Sequence, residues 1–126
     1  MILIFGGAYQ GKLEYALKNF GLDESDVYHC EEKGTLDLSH KVIYGLERFV
    51  LGCVREGKEA KDLLLEYGET LEDKIIIVTD ISQGVVPIDP ELRSWREMTG
   101  RAMLYLGSKA EKTIRIFCGL GQEIKC

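Results

Sequence analysis

The chain opens with Met1-Ile-Leu-Ile-Phe-Gly-Gly-Ala-Tyr-Gln-Gly-Lys-Leu-Glu14, and this stretch decides the fold. Residues 1–5 form an apolar run of strand length. Behind the glycine-containing residues 6–12, apolar side chains recur at helical spacing, at Leu13, Ala16, Leu17 and Phe20. The order of buried strand, glycine-flanked loop, lysine and helix is typical of a phosphate-binding loop.

The loop supplies the candidate nucleotide-binding residues. Gly6 and Gly11 bracket four residues, as in the pattern G-x-x-x-x-G-K-[ST], and glycines allow backbone N–H groups to turn toward an anion at the positive end of the next helix. Lys12 is predicted to hold the outer phosphates, whereas Leu13 replaces the Ser or Thr that would bind Mg²⁺. The alternative is an ordinary turn with a surface lysine. The predicted set is Gly6, Gly7, Ala8, Tyr9, Gln10, Gly11, Lys12 and Leu13.

Length and composition set limits on the kind of protein. We predict a single nucleotide-binding domain over residues 1–126, since 45% hydrophobic and 29% charged residues are ordinary for a globular chain. A net charge of −5 argues against a nucleic-acid partner. No segment reaches the length of a membrane span, and a strand stands where a signal peptide would begin. We therefore expect no membrane partner and a cytoplasmic location.

The remaining pattern predicts alternating strands and helices. Strands are expected at 27–30, 74–80 and 113–118, and helices over 37–56, over 58–67 and from Asp89-Pro90 through Leu106 with a break near Gly100. The β-branched run at 74–80 implies burial on both sheet faces, which favours parallel strands. The predicted fold class is α/β, a three-layer P-loop NTPase-like fold with a mostly parallel sheet flanked by helices.

Asp80 ends the clearest predicted strand. Ligands collect at the carboxyl edge of parallel sheets, and an acidic residue at that place in a phosphate-loop protein contacts Mg²⁺ or its water. Asp80 is therefore the predicted metal ligand. The alternative is a carboxylate that caps the turn into residues 82–84.

Several blocks of the chain together resemble one enzyme family. Gly6-Gly-Ala-Tyr-Gln-Gly-Lys12 resembles the loop G-G-x-x-S-G-K-S of the bifunctional adenosylcobinamide kinase/adenosylcobinamide-phosphate guanylyltransferases of cobalamin synthesis. Val78-Thr-Asp-Ile-Ser-Gln-Gly-Val-Val-Pro87 is similar to their V-[ST]-N-E-V-G-x-G-I-V-P, and Leu92-Arg-Ser-Trp-Arg-Glu-Met-Thr-Gly-Arg101 to their R-x-[FY]-R-D-x-x-G-R helix. The last strand with Gly119-Leu120 resembles the end V-x-x-G-x-P.

This resemblance implies a phosphotransferase. ATP or GTP and Mg²⁺ would be the cofactors, and a cobinamide hydroxyl, hence a corrinoid substrate, would be the acceptor. Lys12 and Asp80 would act on the phosphates and the metal, and Arg96 or Arg101 would neutralise charge on the transferred group. His40 is the candidate acceptor for a guanylyl step, which is in question because no H-x-x-R-R-type context surrounds it. The family also implies a homo-oligomer.

A non-catalytic reading competes with the enzyme reading. Leu13 in the loop, Ala102-Met103 in place of the family's N-Q, and a short middle region all depart from the family pattern. These departures affect separate functional positions. The alternative function is therefore a degenerate P-loop relative that acts as a nucleotide- or partner-binding module.

Overall fold

Strands and helices alternate along most of the chain. The structure is a computed structural model that describes residues 1–81 and 88–124. The strands are β1 (Ile2–Gly6), β2 (Val27–His29), β3 (Val42–Tyr44), β4 (Ile75–Thr79), β5 (Lys112–Phe117) and β6 (Leu120–Ile124). The helices are α1 (Lys12–Phe20), α2 (Leu46–Glu56), α3 (Ala60–Tyr67) and α4 (Pro90–Lys109), with short 3₁₀ turns at Glu24–Asp26 and Gly68–Leu71.

The six strands form one sheet in the order β2-β3-β4-β1-β5-β6. Every neighbouring pair is parallel except β5 and β6, which form an antiparallel hairpin. Ile4 at the centre of β1 lies between Ile77 of β4 and Ile114 of β5. The predicted α/β class and the mostly parallel sheet flanked by helices are confirmed.

Each face of the sheet packs against its own helices. On one face, Leu3 and Ile76 join a core with α2, α3 and α4, in which Phe49, Leu64 and Leu106 are fully buried. On the other face, Ile4 and Ile77 pack with α1. Because successive strand residues point to opposite faces, the uninterrupted β-branched run of β4 supplies both cores.

The predicted helix over residues 37–56 is wrong in its first half. Residues 42–44 form the strand β3 between β2 and β4, and the helix begins only at Leu46. Ile43 fits the apolar stripe of the following helix, so helical periodicity extended across the strand. Gly45, with φ of 81°, is the point at which strand becomes helix.

Two further predictions failed near the end of the chain. The strand expected at 113–118 is not the last one, because Leu120–Ile124 forms the further strand β6, paired to β5 with Ile114 opposite Glu123. The expected break near Gly100 does not occur, since α4 runs unbroken from Pro90 to Lys109. Its start is as predicted, because the Asp89 carboxylate accepts the backbone N–H groups of Glu91 and Leu92.

Among the described residues, none of the helices combines the length and the apolar character needed to cross a lipid bilayer.

Candidate functional site

The loop of residues 7–11 lies where the chain changes sides of the sheet. From β1 the chain continues into α1 on one face, whereas the helix that follows its neighbour β4 packs on the opposite face. Adjacent parallel strands whose helices diverge in this way leave a crevice at their carboxyl ends, and ligands of open α/β sheets bind there. The topology therefore places the predicted phosphate loop at the expected position for a ligand site.

Two glycines fix the loop for different reasons. At Gly6, an added Cβ would lie 2.5 Å from the carbonyl oxygen of Ile116, so only glycine allows β1 and β5 to approach this closely. At Gly11, φ is 83°, a left-handed conformation that favours glycine, and this residue is the N-cap of α1. Tyr9 also has positive φ, at 61°, and its side chain is fully exposed.

Lys12 is the first residue of α1 and is 5% exposed. Its Nζ donates a hydrogen bond of 2.7 Å to the carbonyl oxygen of Gly7, so the side chain folds back over the loop. Burial lowers the pKa of this ammonium group, and the nearby carboxylates of Glu47 and Glu14 partly oppose that effect. A desolvated cation at a helix N-terminus is a good site for an anion, because an incoming negative charge would relieve the cost of burying it.

Glu47 lines the same cavity as Lys12 and was not among the site residues predicted from the sequence. It stands in the first turn of α2, where its Oε1 accepts the backbone N–H of Thr79 at 2.9 Å. The Trp95 indole donates to the carbonyl oxygen of Glu47 at 2.7 Å and ties this turn to α4. Val42 and Ile43 are β-branched and precede Gly45, a pattern that could have indicated a strand ending just before Glu47. The helix predicted over residues 37–56 spanned this pattern, so Glu47 was not placed at the end of a strand.

A cavity of about 570 Å³ opens above the loop. Its walls combine the loop and the start of α1 with the ends of β3 and β4 and the first turn of α2, namely residues 8–14, Tyr44, Glu47, Arg48 and Thr79. Lys12 and Arg48 contribute positive charge, and Glu14 and Glu47 negative charge. The loop residues predicted to bind nucleotide from Ala8 to Leu13 thus share one cavity. Gly6 and Gly7 line a separate, smaller cavity.

Leu13 belongs to both the cavity wall and the core. It lines the cavity and also packs, partly buried, against the apolar cluster that contains Ala16 and Ile4. A leucine in this position supplies no oxygen to a metal. The place where the sequence pattern would have a hydroxyl is therefore filled by an apolar contact.

Asp80 lies on the other side of the loop. Its backbone N–H donates to the carbonyl oxygen of Gly6 at 2.8 Å, and it lines a second cavity of about 90 Å³ together with Gln10 and Arg115. The predicted metal ligand is thus adjacent to the loop but not in the cavity that Lys12 and Glu47 share. Within residues 1–81 and 88–124, the structure contains no cluster of three or more His, Cys, Asp or Glu side chains suited to a metal ion.

The remaining predicted catalytic residues are not gathered at this cavity. Arg101 of α4 pairs with Glu59 at 2.9 Å. Arg96, half-buried, follows Trp95 directly but is not among the residues that line the cavity. His40 precedes β3 and therefore lies at the amino edge of the parallel strands, where its ring stacks on Tyr28. The loop follows β1 at the opposite edge.

The β5–β6 hairpin supports the loop from the side. Both residues of its two-residue turn have positive φ, 51° at Cys118 and 75° at Gly119. The backbone N–H of Cys118 donates to the side-chain Oε1 of Gln10 at 2.6 Å, and that of Gly119 donates to the Gln10 carbonyl at 2.8 Å. Gln10 was predicted to contact the nucleotide, whereas its side-chain oxygen accepts a hydrogen bond from the backbone of Cys118.

Comparison with protein-family models and with curated proteins finds no match to this sequence.

Proposed function

We propose that this protein binds the phosphates of a nucleoside triphosphate, ATP or GTP, at residues 6–12. The observation that carries the proposal is the buried ammonium of Lys12, held on the Gly7 carbonyl at the start of α1 beside a cavity of about 570 Å³. A phosphate oxygen could replace that carbonyl as the partner of Nζ. Backbone N–H groups at the helix start would share the negative charge.

The residues of this cavity could supply Mg²⁺ with one carboxylate ligand but no hydroxyl ligand at position 13. The ion commonly uses one or two protein carboxylates and completes its shell with phosphate oxygens and water. Glu47 faces Lys12 across the cavity and would supply one carboxylate, while Leu13 supplies nothing. Bound Mg²⁺ would neutralise phosphate charge. In this proposal the nucleotide binds together with Mg²⁺, and Glu47 is the one protein ligand of the metal.

The same residues favour a binding module over a transferase. Arg101 is paired with Glu59, and His40 lies at the other edge of the sheet. Among the described residues, the predicted transfer groups Arg96, Arg101 and His40 are therefore not gathered around the cavity. We take nucleotide binding as the main function, in a divergent relative of the adenosylcobinamide kinase/guanylyltransferases.

Phosphoryl transfer to a cobinamide hydroxyl is the second candidate. It is favoured by the exposed rim of the cavity, where Tyr9 and Arg48 leave room for an acceptor beside Glu47. The discriminating measurement is transfer of labelled γ-phosphate to cobinamide. Turnover that disappears in Lys12→Met would establish the enzyme. Tight nucleotide binding without transfer would establish the binding module.

Isothermal titration with ATP and GTP, each with and without Mg²⁺, tests the binding itself. We expect Lys12→Met to weaken binding by about 1.5–3 kcal/mol, the usual contribution of a charged hydrogen-bond partner. Lys41→Met is the matched control, because Lys41 is an exposed lysine at the opposite edge of the sheet. Absence of binding for both nucleotides, or equal losses in both variants, would refute the proposal.

Stability separates this loss from misfolding. Burial already disfavours the charge on Lys12, as its lowered pKa shows, so removing the charge should not reduce the free energy of unfolding. Urea denaturation of Lys12→Met should therefore give a midpoint at least as high as that of the wild type. A lower midpoint would mean that the Gly7 contact is a structural requirement.

A further inference from the structure

Tyr9 lies in the middle of the loop in a strained backbone conformation. Its φ is 61°, in the left-handed region that residues other than glycine rarely adopt. Within residues 1–81 and 88–124, the other residues with positive φ are six glycines and Cys118. A bulky side chain in this region carries a strain that glycine would not.

Packing does not account for the strain at Tyr9. Its side chain is 102% exposed, so the ring buries no surface against the rest of the protein. Cys118 differs, because it belongs to the turn between β5 and β6 and its backbone N–H is bonded to Gln10. Strained residues of this kind concentrate at sites that bind ligands.

The backbone that follows Tyr9 is held by the β5–β6 hairpin. Gln10 accepts the N–H of Cys118 on its side-chain oxygen at 2.6 Å and the N–H of Gly119 on its carbonyl oxygen at 2.8 Å. Gly11 lies so close to the hairpin that an added Cβ would be 3.5 Å from the Cα of Gly119. The Tyr9 ring is therefore presented from a supported part of the loop.

The Tyr9 ring belongs to the same cavity wall as the cations of the site. It lines the cavity of about 570 Å³ together with Lys12 and Arg48. Tyr44, the second aromatic residue of this wall, is half-buried, and its ring meets that of His29 edge-on at a centroid distance of 5.3 Å. Tyr9 is thus the aromatic residue of the cavity with both ring faces open to a ligand.

We propose that Tyr9 stacks on the base of the bound nucleotide, an inference that rests on the proposed binding of phosphates at residues 6–12. A ligand that suits both a buried ammonium group and an exposed aromatic ring combines negative charge with a flat ring, as a nucleoside triphosphate does. Stacking does not distinguish one base from another, because every base has a π face. Tyr9 therefore selects nucleotides over inorganic phosphates and accepts ATP and GTP alike.

Isothermal titration with ATP, GTP and inorganic triphosphate, each with Mg²⁺, tests this proposal. Tyr9→Ala should weaken binding of both nucleotides by about fivefold to a hundredfold, the range expected for loss of a stacked base. Its affinity for inorganic triphosphate should be unchanged. Tyr9→Phe is the matched control, since it keeps the ring, and should bind all three ligands as the wild type does. Lys12→Met, in contrast, should weaken all three.

The outcomes separate this inference from the proposed function. If the wild type binds neither the nucleotides nor triphosphate, phosphate binding at the loop is refuted, and the stacking is refuted with it. If the ligands bind and Tyr9→Ala changes none of the affinities, only the stacking is refuted. An equal loss for triphosphate and ATP would also refute it, because Tyr9 would then act by shaping the phosphate loop.

The stability of Tyr9→Gly is a second test. Glycine adopts a φ of 61° without strain, so the urea midpoint of this variant should be at least as high as that of the wild type. Its affinity for ATP should fall as in Tyr9→Ala. A lower midpoint, or an ATP affinity equal to that of the wild type, would show that the strained tyrosine is not kept for the nucleotide and would overturn the inference.

Discussion

The two edges of the parallel sheet carry their charges differently. At the carboxyl edge, Lys12 is 5% exposed, and burial lowers the pKa of its ammonium group. At the amino edge, Lys41 is exposed and donates to the Asp73 carbonyl, and His40 lies beside the neighbouring Ser39. At the amino edge, these charged and polar side chains are thus at least partly exposed and have hydrogen-bond partners nearby. At the carboxyl edge, the ammonium group of Lys12 is buried at a cost in free energy. A cost of this kind is expected where a ligand would offset it.

The largest expected effect tests the close approach of β1 and β5 at the carboxyl edge. In Gly6→Ala, the new Cβ would meet a backbone carbonyl oxygen at 2.5 Å, which the sheet cannot move cheaply. We expect a loss of about 3 kcal/mol in the free energy of unfolding, measured by urea denaturation. Gly7→Ala is the control, since its nearest neighbour is 3.8 Å away, and should change stability by less than about 1 kcal/mol. Equal losses would contradict the close approach of β1 and β5.

The next effect concerns the metal. Glu47→Gln keeps an oxygen that can accept the Thr79 N–H, seen at 2.9 Å, but removes the negative charge. We expect the gain in nucleotide affinity on adding Mg²⁺ to fall about tenfold, or about 1.4 kcal/mol, because a carboxylate ligand is lost. Calorimetry with and without the metal measures it. Glu72→Gln, an exposed glutamate at the amino edge, should leave the gain unchanged. A full response to Mg²⁺ in Glu47→Gln would shift the assignment toward Asp80.

A smaller effect is expected where the hairpin supports the loop. Gln10→Ala removes the acceptor of the Cys118 N–H, bound at 2.6 Å, while the backbone bond from Gly119 remains. Stability should fall by about 1 kcal/mol, the net value of one hydrogen bond. Thermal or urea unfolding measures the change, with Gln122→Ala as the control on the exposed face of the same hairpin. No difference between the two variants would mean that solvent replaces the bond without loss.

The smallest effect tests an arginine that the sequence assigned to catalysis. Arg101 and Glu59 are 48% and 31% exposed, so Arg101→Ala should cost less than about 1 kcal/mol of stability. Its nucleotide affinity should equal that of the wild type in the same titration. A tenfold loss would show that Arg101 leaves Glu59 when ligand binds, and would revive its proposed role in transfer.

The sequence predicted the parts of the fold whose causes are local. The apolar run of β1, the β-branched run of β4 and the Asp89-Pro90 start of α4 each have their explanation within a few residues. The strand β3 was not predicted, because Ile43 fits both the apolar spacing of the following helix and a short buried strand. Only pairing with β2 and β4, at residues distant in sequence, decides between them.

The site was predictable to the same extent. Lys12 and the loop were identified, since strand, glycines and helix follow one another directly. Glu47 reaches the loop only because α2 starts beside β4, which no local pattern shows. The need for glycine at Gly6 was attributed to the ligand, but its visible cause is the approach of Ile116, which stands far along the chain.

The bonds between Gln10 and the β5–β6 turn have a consequence for folding. Gln10 and Cys118 are separated by 108 positions, so nearly the whole chain must be in place before the loop gains this support. Closing so large a span is slow compared with forming a helix or a hairpin. We expect the loop to be among the last segments to become ordered, with β1 and β4 paired earlier. Pulse-labelling hydrogen exchange during refolding would show it, and early protection of residues 7–11 would contradict this order.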